Sequence, residues 1–351
     1  MKQPHNIYIH VPFCMSKCNY CAFWSIACAN PDWKTYLAGI LAELDYWANT
    51  LGRVSVPTVF FGGGTPSLMP VDCFSQIMNK IRTCFDLSAD AEITLESNPG
   101  TLDENKMREF QAAGVNRLSI GVQSLDDEKL KFLGRRHDAA TAIAAIKTAQ
   151  KLNLNVSADF IYGLPGDNVA TVIETCAAIN KLGLTHCSMY ELTIEENTPF
   201  GRANLNMPTN EEMADMYTAI RQNLSLPRYE VSNYATPGHE CRHNQNIWDG
   251  DAYIGIGRGA AGRVYIDGTW YEQRGAGELF EPLSSTDRAI ECVITGLRTI
   301  RGVCLTDPVK AVINMDIVQS MLDKIRIVND RLVATDMGML VLDDLIEQVT
   351  R

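Results

Sequence analysis

The sequence has no long uninterrupted hydrophobic run and comparatively few basic residues. Residues 1–13 contain one lysine and a short apolar stretch, without the apolar core of a signal peptide or of a membrane-spanning helix. Lys and Arg total 31 against 42 Asp and Glu, a net charge of -11. Nucleic acids and anionic membranes bind basic surfaces, so neither is an expected partner. We therefore expect a cytoplasmic protein without a membrane span.

The cysteine content does not favour a disulfide framework. The chain has 11 cysteines, an odd number, and no recognisable export signal. Cysteines outside secreted proteins more often serve metal or redox sites. Their spacing is therefore more informative than their number.

Hydrophobic patterning predicts an α/β fold. At 351 residues and 46% hydrophobic content, the chain is long enough for one large domain and a smaller one. Short apolar runs alternate with amphipathic stretches of helical period. Candidate strands are 7–13, 58–61, 92–96, 117–122, 156–162 and 187–192, and candidate helices are 33–48, 71–84, 104–113, 139–151 and 169–182.

This alternation indicates six parallel strands joined by helical crossovers. We interpret it as an incomplete (β/α)6 barrel, with an open doubly wound sheet as the rival arrangement. In either fold the loops that follow the strands gather at the carboxyl ends of the strands, where ligands bind.

The pattern of strands and helices changes after Arg274. Three parts of the chain are predicted. Residues 1–235 form the barrel, 236–274 a linker, and 275–351 a small α+β domain of winged-helix type. In the last part, a helix over 287–299 precedes a hairpin with its turn at Asn329-Asp330 and a final helix over 338–349. This segment is not basic, so an interaction or lid role is favoured over DNA binding.

Three cysteines follow the first predicted strand closely. Cys14, Cys18 and Cys21 form a C-x3-C-x2-C pattern on one loop. A [4Fe-4S] cluster normally has four cysteine ligands, so three would leave one iron open for another molecule. A zinc site is the alternative, but structural zinc favours two closely spaced pairs, and no second pair follows.

A glycine run and several polar residues follow the other strands. Gly63 and Gly64 lie in Phe61-Gly-Gly-Gly-Thr-Pro66 and allow the backbone to approach a ligand closely. Carboxylates and amides suit hydroxyl groups, and arginine suits a carboxylate. The candidate polar residues are Glu96, Gln123, Arg135 and Asp159.

The cysteine motif, with an aromatic residue before its third cysteine, resembles the signature of the radical S-adenosylmethionine (SAM) superfamily. The resemblance implies that SAM binds the open iron and is cleaved reductively, with electrons from a separate donor. Over nearly the whole chain the segments resemble oxygen-independent coproporphyrinogen III oxidase and its heme-chaperone relatives. That match implies SAM contacts from Tyr8, Tyr20, Gly63, Gly64, Thr65, Glu96, Gln123, Arg135 and Asp159.

Three features favour the heme chaperones over the oxidase. The oxidase carries a fourth cysteine two residues after the third, where this chain has Phe23, and an N-terminal extension before the first strand. The segment Arg242-His-Asn-Gln-Asn-Ile-Trp248 resembles the H-N-x-x-Y-W motif of the chaperones, with Ile247 in place of the tyrosine. The resemblance implies heme contacts from His243 and Trp248, although a lone histidine is more often a hydrogen-bonded structural residue.

We therefore expect a protein that binds heme and delivers it to an acceptor hemoprotein, such as a respiratory one. Oxidative decarboxylation of coproporphyrinogen III and radical modification of heme are the two alternatives. The implied cofactors and cargo are a [4Fe-4S] cluster, SAM and heme. Monomer and homodimer both remain open.

Overall fold

The computed structural model describes residues 3–274 and 279–350. Up to residue 235, strands and helices alternate, with 3-10 turns at Pro66–Leu68 and Phe200–Arg202. The elements are β1 (His5–Val11), β2 (Phe13–Cys14), β3 (Ile26–Ala27), α1 (Trp33–Leu51), β4 (Ser55–Gly63), α2 (Val71–Cys84), β5 (Asp86–Ser97), α3 (Glu104–Ala113), β6 (Arg117–Gln123), α4 (Asp127–Phe132), α5 (Ala139–Lys151), β7 (Asn155–Tyr162), α6 (Val169–Asn180), β8 (His186–Glu191), α7 (Asn210–Asn223) and β9 (Asn233–Ala235).

Beyond residue 235 the elements are shorter. They are α8 (Arg242–Trp248), β10 (Ala252–Ile256), β11 (Ala261–Ile266), β12 (Thr269–Arg274), β13 (Leu279–Pro282), α9 (Ser285–Leu297), β14 (Val303–Cys304), α10 (Asp307–Val312), α11 (Met315–Ser320), β15 (Ile325–Val328), β16 (Arg331–Ala334), α12 (Asp336–Met339) and α13 (Leu342–Val349).

The main sheet has the strand order β13-β12-β11-β10-β1-β4-β5-β6-β7-β8-β9. The six strands predicted from the sequence are consecutive neighbours in this order and all pair in parallel. The predicted α/β fold with six parallel strands and helical crossovers is therefore confirmed. Parallel pairing places the carboxyl ends of these strands at one edge of the sheet.

The helices cover the sheet through apolar faces of helical period. In α2, for example, Phe74, Ile77 and Ile81 are completely buried in the core. Helices α3, α5 and α6 have the N-cap residues Asp103, Asp138 and Asn168, whose side chains accept backbone hydrogen bonds from the first turn. In residues 3–274 and 279–350, no helix has both the length and the apolar composition needed to cross a membrane.

Within the segment 236–274, expected to be a linker, strands β10, β11 and β12 belong to the main sheet. Strand β10 pairs in parallel with β1, in a register that places Ile254 beside Ile7, and β11 and β12 extend the sheet beyond it. Ile254 and Ile256 are fully buried, as expected for a strand with neighbours on both sides. This pairing joins residues almost 250 positions apart, which sequence pattern could not reveal.

The C-terminal elements form a small α+β domain with its own core. Strands β14, β16 and β15 make a three-stranded antiparallel sheet, covered by α9 and by α13. Asn329 and Asp330 both have positive φ, as expected for a tight hairpin turn between β15 and β16. The last predicted helix, 338–349, differs from the structure, which has two short helices, α12 and α13, in this region.

Candidate functional site

The candidate site lies at the carboxyl edge of the parallel strands. Gly63 ends β4, Gln123 ends β6, Glu96 is the penultimate residue of β5, and Asp159 lies in the second half of β7. Cys14 lies on β2, which follows β1 after a single residue. The parallel register therefore gathers the predicted site residues at one edge.

The cysteine loop, residues 14–28, is fixed at its base and near its middle. The N–H of Cys28 donates to the carbonyl of Cys14 at 2.8 Å, alongside the short parallel pair β2–β3. The side-chain amide of Asn19 donates to the carbonyl of Phe132 at 2.8 Å. The loop is thus held between the end of β1 and the end of α4.

The three cysteines are half-buried free thiols in one environment. Thr65 donates its hydroxyl to Cys14 Sγ at 3.5 Å, and Arg135 Nη1 donates to Cys18 Sγ at 3.3 Å. Burial raises the pKa of Cys21, with smaller contributions from the nearby sulfurs of Cys18 and Cys14. Among the described residues, no three His, Cys, Asp or Glu side chains are arranged around a single metal ion.

The donor set fits a [4Fe-4S] cluster open at one iron. In such a cluster each cysteine binds its own iron, so the sulfurs surround the cluster and need not share a single ion. When bound, the cluster would supply electrons for the reductive cleavage of SAM. Cys14, Cys18 and Cys21 would hold it, while Thr65 and Arg135 donate hydrogen bonds to two of the sulfurs.

Arg135 has one buried N–H group that is free to bind a ligand. Its Nη2 donates to Asn98 Oδ1 at 2.5 Å and to the carbonyl of Gly121 at 2.7 Å. Its buried Nε has no hydrogen-bond acceptor within residues 3–274 and 279–350. A buried donor without a partner is costly, and an anionic ligand group such as the carboxylate of SAM would satisfy it.

The glycine loop leaves no room for side chains. A Cβ on Gly63, whose φ is +111°, would lie 2.5 Å from the imidazole of His10. A Cβ on Gly64 would lie 2.7 Å from the carbonyl oxygen of Phe13, next to Cys14. The glycines thus allow this loop to lie directly against the start of the cysteine loop.

Glu96 and Tyr8 border the same loop. Glu96 Oε2 accepts a hydrogen bond from the N–H of Gly63 at 3.0 Å. Burial, and then the nearby carboxylate of Asp159, raise the pKa of Glu96 to about 8. Tyr8 donates its hydroxyl to His10 Nδ1 at 3.0 Å, since His10 Nε2 pairs with the carbonyl of Trp24 at 2.9 Å.

Glu96 should make the stability of the SAM-free chain depend on pH. Between its ordinary pKa of 4.5 and the raised value of about 8, the folded protein keeps a proton that the unfolded chain has lost. The free energy of unfolding should therefore fall as pH rises through this interval, by up to about 1.4 kcal/mol per pH unit. Urea unfolding across that interval should show the slope in the wild type and a shallower one in Glu96→Gln. Equal slopes would contradict the raised pKa.

The other predicted SAM residues surround this centre. Asp159 accepts hydroxyl hydrogen bonds from Ser188 at 2.7 Å and Ser119 at 2.8 Å, which oppose the increase of its pKa caused by burial. Gln123 has a positive φ of 67°, and its side chain lies beside Gly121 and Arg135. Burial raises the pKa of Tyr20, and the nearby positive charge of Arg135 partly opposes this increase.

Two contact residues of the site were missed by the sequence reasoning. Asn98 links the two sides of the cysteine loop, since it donates to Thr65 Oγ1 at 3.0 Å and accepts from Arg135. Its signal was present in the Glu-Ser-Asn-Pro run that carries Glu96. His10 had no such signal, because it lies inside the first strand.

The structure does not fit the expected role of His243 as an accessible heme ligand. Its side chain is 3% exposed and stacks on Phe60, with ring centroids 5.1 Å apart. Its Nδ1 hydrogen-bonds with Thr58 Oγ1 at 2.7 Å, and its backbone N–H donates to Glu92 Oε1 at 2.9 Å. Burial lowers its pKa to about 3. His243 therefore holds α8 against β4 and β5.

Trp248 lies at the other end of α8 and faces a different region. It lines a cavity of about 720 Å³ whose other walls come from α9 and the C-terminal domain. A second cavity, of about 770 Å³, is lined by Cys18, Thr65, Asn98 and Arg135. The two residues of the proposed heme motif therefore do not face one common cavity.

The chain is similar to known proteins over most of its length. The family model described as the Radical SAM superfamily matches residues 8–179. The heme chaperone HemW of Escherichia coli is 41% identical over 267 residues, covering 74% of this chain and 70% of that protein. The heme chaperone HemW of a Synechocystis species is 34% identical over 331 residues, covering 86% and 79%.

A solved structure resembles the whole fold. The coproporphyrinogen III oxidase HemN of Escherichia coli, a radical SAM enzyme, superimposes with a TM-score of 0.81 and covers 99% of this chain and 90% of that one. At 20% identity this likeness concerns the fold alone. The Radical SAM match implies a [4Fe-4S] cluster and SAM as cofactors. The curated relatives, at 31% identity or more over most of their length, show that this chain belongs to the HemW heme chaperone family within the radical SAM superfamily.

Proposed function

We propose that this protein is a heme chaperone, which binds heme and delivers it to an acceptor hemoprotein. The observation that carries the proposal is the 41% identity to a heme chaperone over 267 residues. Phe23, at the position where the oxidases have a fourth cysteine, supports the same reading. The fold alone does not separate the two functions, since it also matches an oxidase.

The geometry at the strand ends supports a working radical SAM centre within this chaperone. The thiols of Cys14, Cys18 and Cys21 would bind the cluster, and Arg135 Nε would bind the carboxylate of SAM. The polar edge formed by Tyr8, Glu96, Gln123 and Asp159 would contact the rest of SAM. A cytoplasmic electron donor would reduce the cluster.

A heme-transfer experiment tests the proposal. Anaerobically reconstituted protein should bind heme saturably, near one equivalent per chain, and pass it to an apo-hemoprotein on mixing. The Soret band of the acceptor and its recovered activity are the readouts, with free heme at the same concentration as the control. Failure to transfer heme to any respiratory or other apoprotein would contradict the proposal. Formation of protoporphyrinogen from coproporphyrinogen III would establish the oxidase activity instead.

A further inference from the structure

The cavity beside Trp248 lies between α8 and the C-terminal domain. The carbonyl of Trp248, at the end of α8, accepts a hydrogen bond from Thr295 Oγ1 of α9 at 3.0 Å. The opposite wall is the β14–β16–β15 sheet of the C-terminal domain. Its volume of about 720 Å³ lies within the roughly 300–1,000 Å³ typical of small-molecule pockets.

The walls of the cavity are mainly apolar. Trp248, Val303 and Val309 line it, and so do Ile300 and Val328. The last two are 48% and 50% exposed. A large apolar ligand that entered here would cover them, and the covered apolar area would stabilise the complex.

A cation without a carboxylate partner borders the same cavity. Arg331 Nε and Nη2 donate to the carbonyls of Arg301 and Gly302 at 2.7 and 2.6 Å. Within residues 3–274 and 279–350, no carboxylate lies within salt-bridge distance of Arg331, whereas Arg301 pairs with Asp249 at 2.8 Å. The backbone contacts fix the Arg331 guanidinium in place, and its charge remains available to an anionic group of a ligand.

A sulfur donor stands next to this cation. Cys304 on β14 is directly opposite Arg331 on β16 in the antiparallel pairing, so the two side chains share a face of the sheet. Val328 is opposite Arg331 on the other side and shares that face too. Cys304 is an exposed free thiol that lines the cavity, and cysteine sulfur is one of the ligands that proteins use for heme iron.

We propose that this cavity is the heme site, with Cys304 as an iron ligand and Arg331 as the partner of a propionate. The inference rests on the proposed function. Heme fits the cavity because it combines a large apolar face, a metal that accepts sulfur ligands and two carboxylates. Trp248 packs against the macrocycle in this arrangement. His243 is a positioning residue, which fixes α8 so that Trp248 reaches the cavity from the barrel side.

Heme titration of the full-length, reconstituted protein tests this assignment with three single variants. Cys304→Ala removes the sulfur, and Val328→Glu places a negative charge at the cavity near the propionates. Ile327→Glu is the matched control, because Ile327 is 42% exposed on the same strand but points to the opposite face. Val328→Glu should weaken heme binding by more than about tenfold. Cys304→Ala should shift the Soret band and weaken binding, and Ile327→Glu should leave both unchanged.

The outcomes separate this inference from the proposed function. No saturable heme binding by the wild type would overturn both. Saturable binding by the wild type with unchanged affinity and Soret band in Cys304→Ala and Val328→Glu would overturn only the site. A fourth variant, His243→Gln, keeps a hydrogen-bonding side chain beside Thr58. A lost Soret band in this variant, with an unchanged circular dichroism spectrum, would place the iron ligand at His243 and also overturn the site.

Discussion

Serine in place of Cys14, Cys18 or Cys21 should abolish the iron-sulfur cluster in each case. Three ligands already leave one iron without a protein ligand, and the loss of another leaves only two sulfurs on one short loop. We expect nearly complete loss of bound iron, of acid-labile sulfide and of the brown absorbance after anaerobic reconstitution. SAM cleavage should be lost with them. Full cluster content in any of the three variants would contradict the assignment.

Cys28→Ser is the matched control for these variants. Cys28 is half-buried, as the three ligands are, and its N–H donates to the carbonyl of Cys14. A serine retains that backbone hydrogen bond, so the loop should keep its shape. We expect iron and sulfide content equal to the wild type. Loss of the cluster in Cys28→Ser would identify a fourth ligand and contradict the open iron.

Gly63→Ala should strongly impair SAM binding while the protein remains folded. The added Cβ would lie 2.5 Å from His10 Cε1 and 2.7 Å from its Nδ1. The imidazole cannot move away easily, because Tyr8 and the carbonyl of Trp24 hold both of its nitrogens. The glycine loop must therefore shift, and the N–H of Gly63 leaves Glu96. We expect SAM affinity to fall by more than about tenfold, measured by equilibrium binding under anaerobic conditions.

Gly183→Ala separates this clash from the general cost of a positive φ. Gly183 has a φ of +64°, and a Cβ there would meet nothing within 4 Å. Both variants carry the strain of an alanine in the left-handed region, about 1–3 kcal/mol, but only Gly63→Ala adds the contact with His10. Gly183→Ala should lower thermal stability and leave SAM affinity unchanged. Equal SAM affinity in the two variants would show that the glycine loop does not contact SAM.

The parallel core was predictable because its signals are local. Each of the six strands is a short apolar run, the first five are each followed by a predicted amphipathic helix, and the helices over 71–84, 104–113 and 139–151 agree with the structure at both ends. Polar residues at the ends of such strands must gather at one edge, whatever the details of packing. The cysteine motif spans only eight residues, from Cys14 to Cys21.

Residues beyond the six strands were harder to place because their partners are distant in sequence. His243 and Thr58 are 185 positions apart, and their hydrogen bond joins α8 to β4 where the imidazole is buried. Strand β10 pairs with β1, whereas β9, the strand that precedes it in sequence, lies at the opposite edge of the sheet. A short apolar run such as 252–256 has the same pattern in a loop, in an edge strand or in a central strand.

The sequence by itself therefore determined the α/β class and the six parallel strands, and its cysteine spacing predicts the ligands of the cluster, since periodicity and spacing act over a few residues. Only the tertiary structure decided that His243 is buried and that Trp248, Cys304 and Arg331 meet around one cavity. Long-range strand pairing and the packing of the C-terminal domain against α8 create those contacts. Which side chains face each other at such a domain interface depends on the free energy of the whole fold, and no local sequence pattern encodes these contacts.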